Sequence, residues 1–399
     1  MELSLILDNF YPKIGGMSIQ NQEMARFLHK AGNTVRVFPL LGDARVDYGD
    51  FSYPVQPICI TQFFPENYGQ FNLHSIAREI NKTLKGLLRM EQIGRCSIIH
   101  TDLYASGILG SIIKKMKKKR MLIYFGGNIF RNEEFSGKGE DKYHRYKGLV
   151  YTIGAKIALS IADKIIVNGE DIASELVSHG IPFEKIRVIY IGVDETLFRP
   201  DVNTRAIEEY FSGKNVSIPK GRKIVMFCGR LVNANGPFDF LEVVDNLASG
   251  VIGLIIGDGH LKKELEEKAK SIRNKVIFAG SVKHELIPAV LRFADLCIYP
   301  FTKIGGVSQV VLEAMACGKC VITTSAGAMG KVIKNGYNGF IAGVGDIRKI
   351  THCADKVLKN DSLLDRIGVR ARQDILEKWC WASRISEYQR VCEEMLREN

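Results

Sequence analysis

Short apolar runs that close on a glycine or a small polar residue recur along this chain, each followed by a stretch long enough for a helix. Clear examples begin at Lys223, with K-I-V-M-F-C-G, and at Val251, with V-I-G-L-I-I-G. A continuous apolar run of this length is typical of a strand buried on both faces of a parallel sheet. Such strands alternating with helices predict an α/β fold of doubly wound parallel sheets, because neighbouring parallel strands need a crossover connection.

The pattern occurs twice, which predicts two Rossmann-like domains. The strands expected in the first set are 3–7, 34–40, 97–100, 121–125 and 164–168, and those in the second are 223–229, 251–257, 275–280, 294–301 and 319–324. The predicted division is 1–198 for the first domain, 199–222 for a polar linker, 223–362 for the second domain and 363–399 for helices that pack back toward the first. Ligands of open α/β sheets bind beyond the carboxyl ends of the strands, so the two domains are expected to face a cleft.

The charge of the chain favours anionic partners. Its formal net charge is +11 and its pI is about 9.1. Nucleic acid is not expected among these partners, because no binding motif or interleaved aromatic pattern accompanies the basic residues. The chain starts directly with an apolar strand and has no apolar run of about 20 residues, so neither a signal peptide nor a membrane span is expected and the predicted location is cytoplasmic.

Nine cysteines are scattered without a disulfide framework, as expected of a protein in a reducing compartment. Cys317 and Cys320 have the spacing of a redox pair, but they fall where a helix should end. Redox cysteines are activated at a helix start, so these two are predicted to be buried and inert. The His and Asp residues show no metal-ligand spacing, and no metal or other cofactor is expected.

The stretch Gly305–Gly318, G-G-V-S-Q-V-V-L-E-A-M-A-C-G, follows a predicted buried strand and opens a helix. Unpaired backbone N–H groups at such a helix start, together with the helix dipole, form an anion site. Glu313 lies about one turn further along the same face, where a carboxylate can accept two hydrogen bonds from a vicinal diol such as a ribose. Phosphate and ribose side by side indicate a nucleoside diphosphate site; the alternative is an ordinary glycine-rich turn between strand and helix.

Several motifs occur in an order that resembles the family-4 glycosyltransferases of the GT-B fold. They are P-K-I-G-G (12–16), Y-I-G-V-D-E-T-L-F-R-P (190–200), C-G-R-L-V-N-A-N-G (228–236), I-I-G-D-G (255–259), F-A-G-S-V (278–282), G-G-V-S-Q-V-V-L-E-A-M-A-C-G (305–318), G-Y-N-G-F (336–340) and W-C-W-A-S-R-I-S-E-Y (379–388). The resemblance spans nearly the whole chain. It implies a retaining, metal-independent transfer of a sugar from a nucleoside diphosphate such as UDP or GDP to a glycan or a lipid-linked acceptor.

The resemblance also implies a role for each matching residue. Arg230 and Gly16 are the expected catalytic residues, with Gly15 and Gly16 letting backbone amides approach the donor diphosphate and Arg230 pairing with its oxygens. Ser308 and the amides of Val307–Gln309 would hold the distal phosphate, Glu313 the ribose, and the backbone of Val282 the base. The complete set expected to bind the donor is Gly15, Gly16, Arg230, Asn235, Val282, Gly305, Gly306, Val307, Ser308, Gln309 and Glu313.

The chain departs from the family pattern at several positions. Asn235 stands where the family usually has a lysine, and Gly305 where it usually has a glutamate that contacts the transferred sugar. Phe125 replaces a histidine at the end of a strand, and Lys331 replaces a glutamate in a later loop. These departures leave a second hypothesis open: a catalytically silent subunit or scaffold that binds a nucleotide sugar.

Residues near the strand ends of the first domain are candidates for the acceptor side. His100 and Asp102 close the third strand, and Asn128 follows the G-G that comes after Phe125, where an acidic residue is frequent in the family. For His100 the alternative is a histidine packed in the core or capping an element.

Lys114–Arg120 holds six cations within seven residues at the end of a predicted helix. Such a run is typical of a solvated helix end, where cations complement the dipole. A run of this density also fits an anionic lipid surface, each cation contributing about 1 kcal/mol near the surface. The sequence leaves both interpretations open, the second implying a peripheral protein at the cytoplasmic membrane face.

Overall fold

The computed structural model describes residues 1–11, 16–43, 46–61, 73–103, 105–126, 153–219 and 221–398. The chain divides into two compact units, the first comprising Met1–Tyr190 with Trp381–Asn399 and the second Ile191–Cys380. Each unit is built on a six-stranded sheet in which every strand pair is parallel. The expected α/β architecture of two doubly wound parallel sheets is confirmed.

The first unit contains the strands β1 (Glu2–Leu7), β2 (Thr34–Pro39), β5 (Ile98–Thr101), β6 (Arg120–Phe125), β7 (Lys164–Val167) and β8 (Ile186–Val188). They lie side by side in the order β2-β1-β5-β6-β7-β8. A separate two-stranded sheet pairs β3 (Leu41–Asp43) with β4 (Cys59–Thr61). The order reverses between β1 and β5, and doubly wound sheets bind ligands at the carboxyl ends of the strands on either side of such a reversal.

The helices of the first unit are α1 (Gly16–Lys30), α2 (Leu73–Leu88), α3 (Met90–Ile93), α4 (Ala105–Lys117), α5 (residues 153–161), α6 (Glu170–Ser178) and α15 (Trp381–Arg397). The C-terminal α15 buries Trp381, Ile385 and Tyr388 in the same core as Leu5 and Leu28. An apolar stripe along α15 therefore fastens the end of the chain to the first sheet.

The second unit contains β9 (Ile224–Cys228), β10 (Ile252–Ile256), β11 (Val276–Gly280), β12 (Leu296–Tyr299), β13 (Cys320–Thr324) and β14 (Phe340–Ala342). Their order is β11-β10-β9-β12-β13-β14, which reverses between β9 and β12. The helices are α7 (Arg205–Gly213), α8 (Pro237–Asn246), α9 (Lys262–Ala269), α10 (Ile287–Leu291), α11 (Gln309–Ala316), α12 (Met329–Val332), α13 (Ile347–Leu358) and α14 (Asp361–Lys378).

The unit boundaries differ from the predicted domain boundaries in two places. The predicted linker 199–222 lies within the second unit and contains α7, which buries Ile207 and Phe211. Of the predicted C-terminal helices over 363–399, α14 belongs to the second unit, where Ile367 joins its core, and α15 alone joins the first. Both segments, the predicted linker and α14, are rich in polar residues. Each nevertheless carries apolar side chains whose burial places it in the second unit.

Candidate functional site

The loops after β9 and β12 meet at the reversal point of the second sheet. The β9 loop runs through Gly229 and Arg230 to a 3₁₀ turn at Asn233–Asn235. The β12 loop is tied to it because Thr302 donates from its backbone N–H to Ala234 O (3.0 Å) and from its hydroxyl to Asn233 O (3.0 Å). Gly236, with φ +68°, permits the contact, since a Cβ there would lie 1.9 Å from Pro300 O. The two loops therefore form one connected surface at the carboxyl ends of β9 and β12, where doubly wound sheets bind their ligands.

The start of α11 presents backbone N–H groups at this surface. Gly306 takes a φ of +64°, and its carbonyl accepts a hydrogen bond from Ala328 N (2.8 Å), which fixes the turn ahead of the helix. Ser308 is the N-cap in extended conformation, and its side chain accepts no capping hydrogen bond within the described part of the chain. Gln309 Oε1 is buried and lacks a hydrogen-bond partner among the described residues. The start of α11 therefore has the form of an anion-binding helix N-terminus, with a glycine-rich turn ahead of it and no side-chain cap from Ser308.

Arg230 belongs to this surface and has an exposed side chain. Its backbone carbonyl accepts a hydrogen bond from Asn235 Nδ2 (2.8 Å), so the family's usual lysine position is occupied by an amide that folds back onto the Arg230 turn. Gly257, with φ +133°, brings the β10 loop against Gly229, where an added Cβ would lie 1.9 Å from Gly229 O. This close backbone approach holds the Arg230 turn in place.

Glu313 is nearly fully buried on α11, with its side chain 4% exposed. Its Oε1 lies 2.7 Å from His284 Nε2, and because a carboxylate only accepts, the imidazole is the donor. His284 comes two residues after Val282, which follows the end of β11 and is half-buried. The residues predicted for ribose and base are therefore neighbours. The sequence interpretation missed His284, although it lies two residues after the F-A-G-S-V motif.

Gly305 lies half-buried in the loop before α11 and carries no side chain where the family has a carboxylate. Lys331 is exposed near α12, and Lys303 N donates to Ala234 O (3.2 Å). Phe125 is 5% exposed and packs in the core of the first unit. Among the described residues, the structure thus brings Arg230, Asn235, Val282, Gly305, Gly306, Val307, Ser308, Gln309 and Glu313 to the carboxyl edge of one sheet.

The predicted residues of the first unit have different positions. Gly16 is the first residue of α1, and no heavy atom lies within 4 Å of where its Cβ would be, among the described residues. Gly15 and Asn128 lie outside the described residues. His100 is fully buried, with Nδ1 2.8 Å from Tyr388 OH, and burial lowers the pKa of His100 to about 3. The acceptor-side role predicted for His100 does not fit this position, whereas the alternative of a core histidine does.

Asp102 is at the carboxyl end of β5 as predicted, but it is 2% exposed. Its Oδ2 accepts hydrogen bonds from Asp8 N (2.9 Å) and Asn9 N (3.1 Å), and Asn21 Nδ2 approaches the same carboxylate at 3.1 Å. Burial and the neighbouring charge on Asp8 raise the pKa of Asp102. These hydrogen bonds tie the buried Asp102 to the chain after β1 and to α1, which favours an anchoring role at this edge over the acceptor-side role predicted for it.

Cys317 and Cys320 are buried, and burial raises the pKa of both thiols. The prediction that both are buried is confirmed, and a raised thiol pKa lowers the reactivity of a cysteine. Within the described ranges, no group of three or more His, Cys, Asp or Glu side chains could hold a metal ion. No helix among these residues is long and apolar enough to cross a membrane.

Comparison with known proteins agrees with this geometry. The model of the family described as Glycosyltransferase Family 4 matches residues 14–197, and that described as Glycosyl transferases group 1 matches residues 211–374. N-acetyl-alpha-D-glucosaminyl L-malate synthase of Bacillus anthracis is 22% identical, the match covering 98% of this chain and 96% of the relative. The UDP-Gal:alpha-D-GlcNAc-diphosphoundecaprenol alpha-1,3-galactosyltransferase of Escherichia coli is also 22% identical, over 88% and 94% of the two chains.

Among solved structures, HepE of Anabaena in complex with UDP and glucose superposes with a TM-score of 0.76 at 18% identity, covering 98% of this chain and 99% of that one. This likeness shows the fold. The two family models together match most of both units, and named glycosyltransferases match along nearly the full length of the chain. The chain therefore belongs to the family-4, group 1 glycosyltransferases of the GT-B fold.

Proposed function

We propose that the protein transfers a sugar from a nucleoside diphosphate sugar whose nucleotide binds at the carboxyl edge of the second sheet. The observation that carries this proposal is the placement of Arg230, the start of α11 and the buried Glu313 at one reversal point. The cation and the helix N-terminus suit a diphosphate, and the carboxylate suits a ribose diol. HepE, a structural neighbour, was solved with UDP and glucose, which supports a nucleotide of this class.

Transfer would proceed with retention of the anomeric configuration and without a metal ion. A phosphate oxygen of the donor takes the proton of the acceptor hydroxyl as the new glycosidic bond forms and the bond to the diphosphate breaks. The task of the protein is then to stabilise the negative charge that develops on the departing diphosphate. Arg230 and the first N–H groups of α11 would supply that stabilisation in fixed positions.

A second candidate function is a nucleotide-sugar-binding subunit without turnover. Two observations favour it: Asn235 places a neutral amide beside the Arg230 turn, and Gly305 offers no side chain to the transferred sugar. Lys303 and Lys331 lie in the loops after β12 and at α12 of the same unit, and either could replace the missing cation.

A panel of UDP, GDP, ADP and their glucose, galactose and N-acetylglucosamine derivatives tests the proposal. We expect one nucleotide series to raise the melting temperature, since a ligand that binds only the folded state stabilises by about 2.7 kcal/mol at 100 times its dissociation constant. Release of the nucleoside diphosphate in the presence of acceptor would then demonstrate transfer. Stabilisation without release, across glycan and lipid-linked acceptors, would favour the binding subunit, and a lack of stabilisation by any nucleotide would reject both.

We further propose that the first unit binds an anionic membrane surface, where a lipid-linked acceptor would be found. The acceptor named for the Escherichia coli relative is a diphosphoundecaprenol. Three cations of the run Lys114–Arg120 have acidic partners, since Lys114 and Arg120 contact Asp163 and Lys117 contacts Glu91. The predicted charge of the run is therefore partly neutralised.

Exposed residues at the ends of α2 and α4 add apolar area to the remaining cations. We call them the α2–α4 patch: Leu84, Lys85, Leu88, Lys115, Met116 and Lys118. Leu88 is 87% and Met116 60% exposed. Apolar side chains among lysines suit the interface of an anionic bilayer better than open solvent.

Replacing Lys85, Lys115 and Lys118 of this patch by glutamine should reduce binding to vesicles containing phosphatidylglycerol by about fivefold for each cation. Replacing Lys263, Lys268 and Lys270 on the second unit by glutamine removes the same charge and should leave binding intact. Vesicle sedimentation at low and high salt measures both, and the attraction should weaken with salt because it is screened over about 10 Å at 0.1 M. Failure of the unmodified protein to sediment at low salt would mean that the patch is a solvated surface.

A further inference from the structure

The contact between His284 and Glu313 joins two parts of the nucleotide site that are separate in sequence. His284 Nε2 lies 2.7 Å from Glu313 Oε1, and the two residues are 29 positions apart. His284 begins a 3₁₀ turn two residues after Val282, while Glu313 is in the middle of α11. The contact therefore links the loop proposed for the base to the helix proposed for the diphosphate and ribose.

Glu313 is buried among apolar residues, where a single hydrogen-bond donor strongly affects the energy and orientation of its carboxylate. Its neighbours on α11, Leu312 and Ala314, are fully buried apolar residues. A buried carboxylate is costly unless it is hydrogen-bonded. His284, whose side chain is 19% exposed, supplies a hydrogen bond to this carboxylate.

His284 is itself held by the segment that contains the Y-I-G-V-D-E-T-L-F-R-P motif. Its ring lies against Phe198, with a centroid distance of 5.2 Å and an interplanar angle of 53°. Phe198 is 1% exposed, and its carbonyl accepts a hydrogen bond from Arg372 Nη1 (3.0 Å). Arg372 also donates to Ala316 O at the end of α11.

These contacts form a closed circuit. Starting from α11, it passes from Glu313 to His284, to Phe198, to Arg372 and back to α11 at Ala316. A side chain held at both its hydrogen bond and its ring face has few alternative rotamers, which is what precise placement of a binding group requires. The circuit also gives a structural role to the motif over residues 190–200, which contributes no residue to the proposed nucleotide site.

We infer that His284 is a positioning residue that orients the carboxylate of Glu313 toward the ribose hydroxyls of the nucleotide. The inference rests on the proposed function, since it assumes that Glu313 receives the ribose. The hydrogen bond occupies Oε1 and fixes the plane of the carboxylate, so that its remaining acceptor positions point in one direction. His284 does not touch the reacting atoms and acts only through Glu313.

Two substitutions separate the hydrogen bond from the ring packing. His284→Phe keeps a ring against Phe198 but removes the donor, and His284→Gln keeps an N–H donor but removes the ring. Titration of the full-length protein with UDP, GDP and ADP and with their 2′-deoxy counterparts gives the affinity and the preference for ribose. Glu285→Gln, a change at the exposed neighbouring residue, is the matched control.

We expect His284→Phe to weaken binding of the preferred ribonucleotide roughly tenfold, the lower range for a hydrogen bond to a charged group, and to remove most of the preference over the 2′-deoxy form. His284→Gln should stay within about threefold of the unmodified protein and keep the preference. In a Glu313→Gln background His284→Phe should have little further effect, because the two residues act through one contact.

Unchanged or tighter binding by His284→Phe, or full additivity with Glu313→Gln, would overturn the inference. Tighter binding would mean that the imidazole competes with the ribose for Glu313. Equal losses in both His284 variants with an intact ribose preference would likewise overturn it and assign the effect to ring packing. If the unmodified protein binds none of the nucleotides, the proposed function fails and the role of His284 falls with it, which is a different result from binding that ignores His284.

Discussion

Arg230→Ala should raise the dissociation constant for the nucleoside diphosphate by about 10- to 100-fold, the range for a hydrogen bond to a charged group. Transfer should fall further, by about 10²–10³, because a fixed cation contributes most when charge develops on the departing diphosphate. Arg230 stands at the end of the β9 turn that Gly257 and Asn235 hold in place. Calorimetric titration and nucleotide release measure the two effects separately.

Two further variants define the cause of that loss. Arg230→Lys keeps the charge but not the two-pronged geometry, so it should recover part of the affinity and less of the turnover. Arg205→Ala, at an exposed arginine of α7 with a side chain 84% exposed, should change neither. An Arg230→Ala protein with unaltered affinity and unaltered turnover would show that Arg230 is not a diphosphate ligand.

Gly257→Ala should destabilise the protein by about 3 kcal/mol, combining the cost of overpacking with that of a strained backbone. The residue has a φ of +133°, and an added Cβ would lie 1.9 Å from Gly229 O, a backbone atom that cannot move without shifting β9. Because Gly229 precedes Arg230, nucleotide affinity should fall as well. Urea unfolding with and without nucleotide measures both quantities.

Gly330→Ala is the control for a glycine in open space. No heavy atom of the described residues lies within 4 Å of its added Cβ, and the residue is exposed at the start of α12. We expect it to be neutral or to stabilise by about 0.5 kcal/mol through the unfolded state. A Gly257→Ala protein as stable as this control would mean that the loops after β9 and β10 can separate at little cost.

The strands that sequence reasoning predicted are those with long apolar runs. Thus β9 and β10 were expected within one or two residues of their observed bounds, because burial on both faces leaves little room for polar residues. The edge strands β8 (Ile186–Val188) and β14 (Phe340–Ala342) have three residues each and were missed. A run of three residues is too short to show a period, and only pairing with the neighbouring strand defines it.

The candidate nucleotide site was predicted as far as its motifs extend. The start of α11 and Glu313 were proposed from the glycine-rich stretch after an apolar run and Arg230 from the family resemblance, and all three lie at the carboxyl edge of one sheet. His284 was missed because its contact is with Glu313, 29 positions further along the chain, and no local sequence pattern shows that contact. Sequence alone does not show which way the side chains of His100 and Asp102 point. Both residues lie at or near a strand end, but their side chains are buried and make hydrogen bonds inside the first unit.

Hydrogen–deuterium exchange, measured with and without saturating nucleoside diphosphate (UDP, GDP and ADP in turn), tests most directly whether the nucleotide binds at the carboxyl edge of the second sheet. The account predicts slower exchange in peptides covering 228–236, 280–286 and 304–313, where the Arg230 turn, the Val282–His284 segment and the start of α11 lie. Exchange across α13 and α14 should not change. Protection confined to the first unit, or protection of α13 and α14 without the three predicted segments, would contradict it.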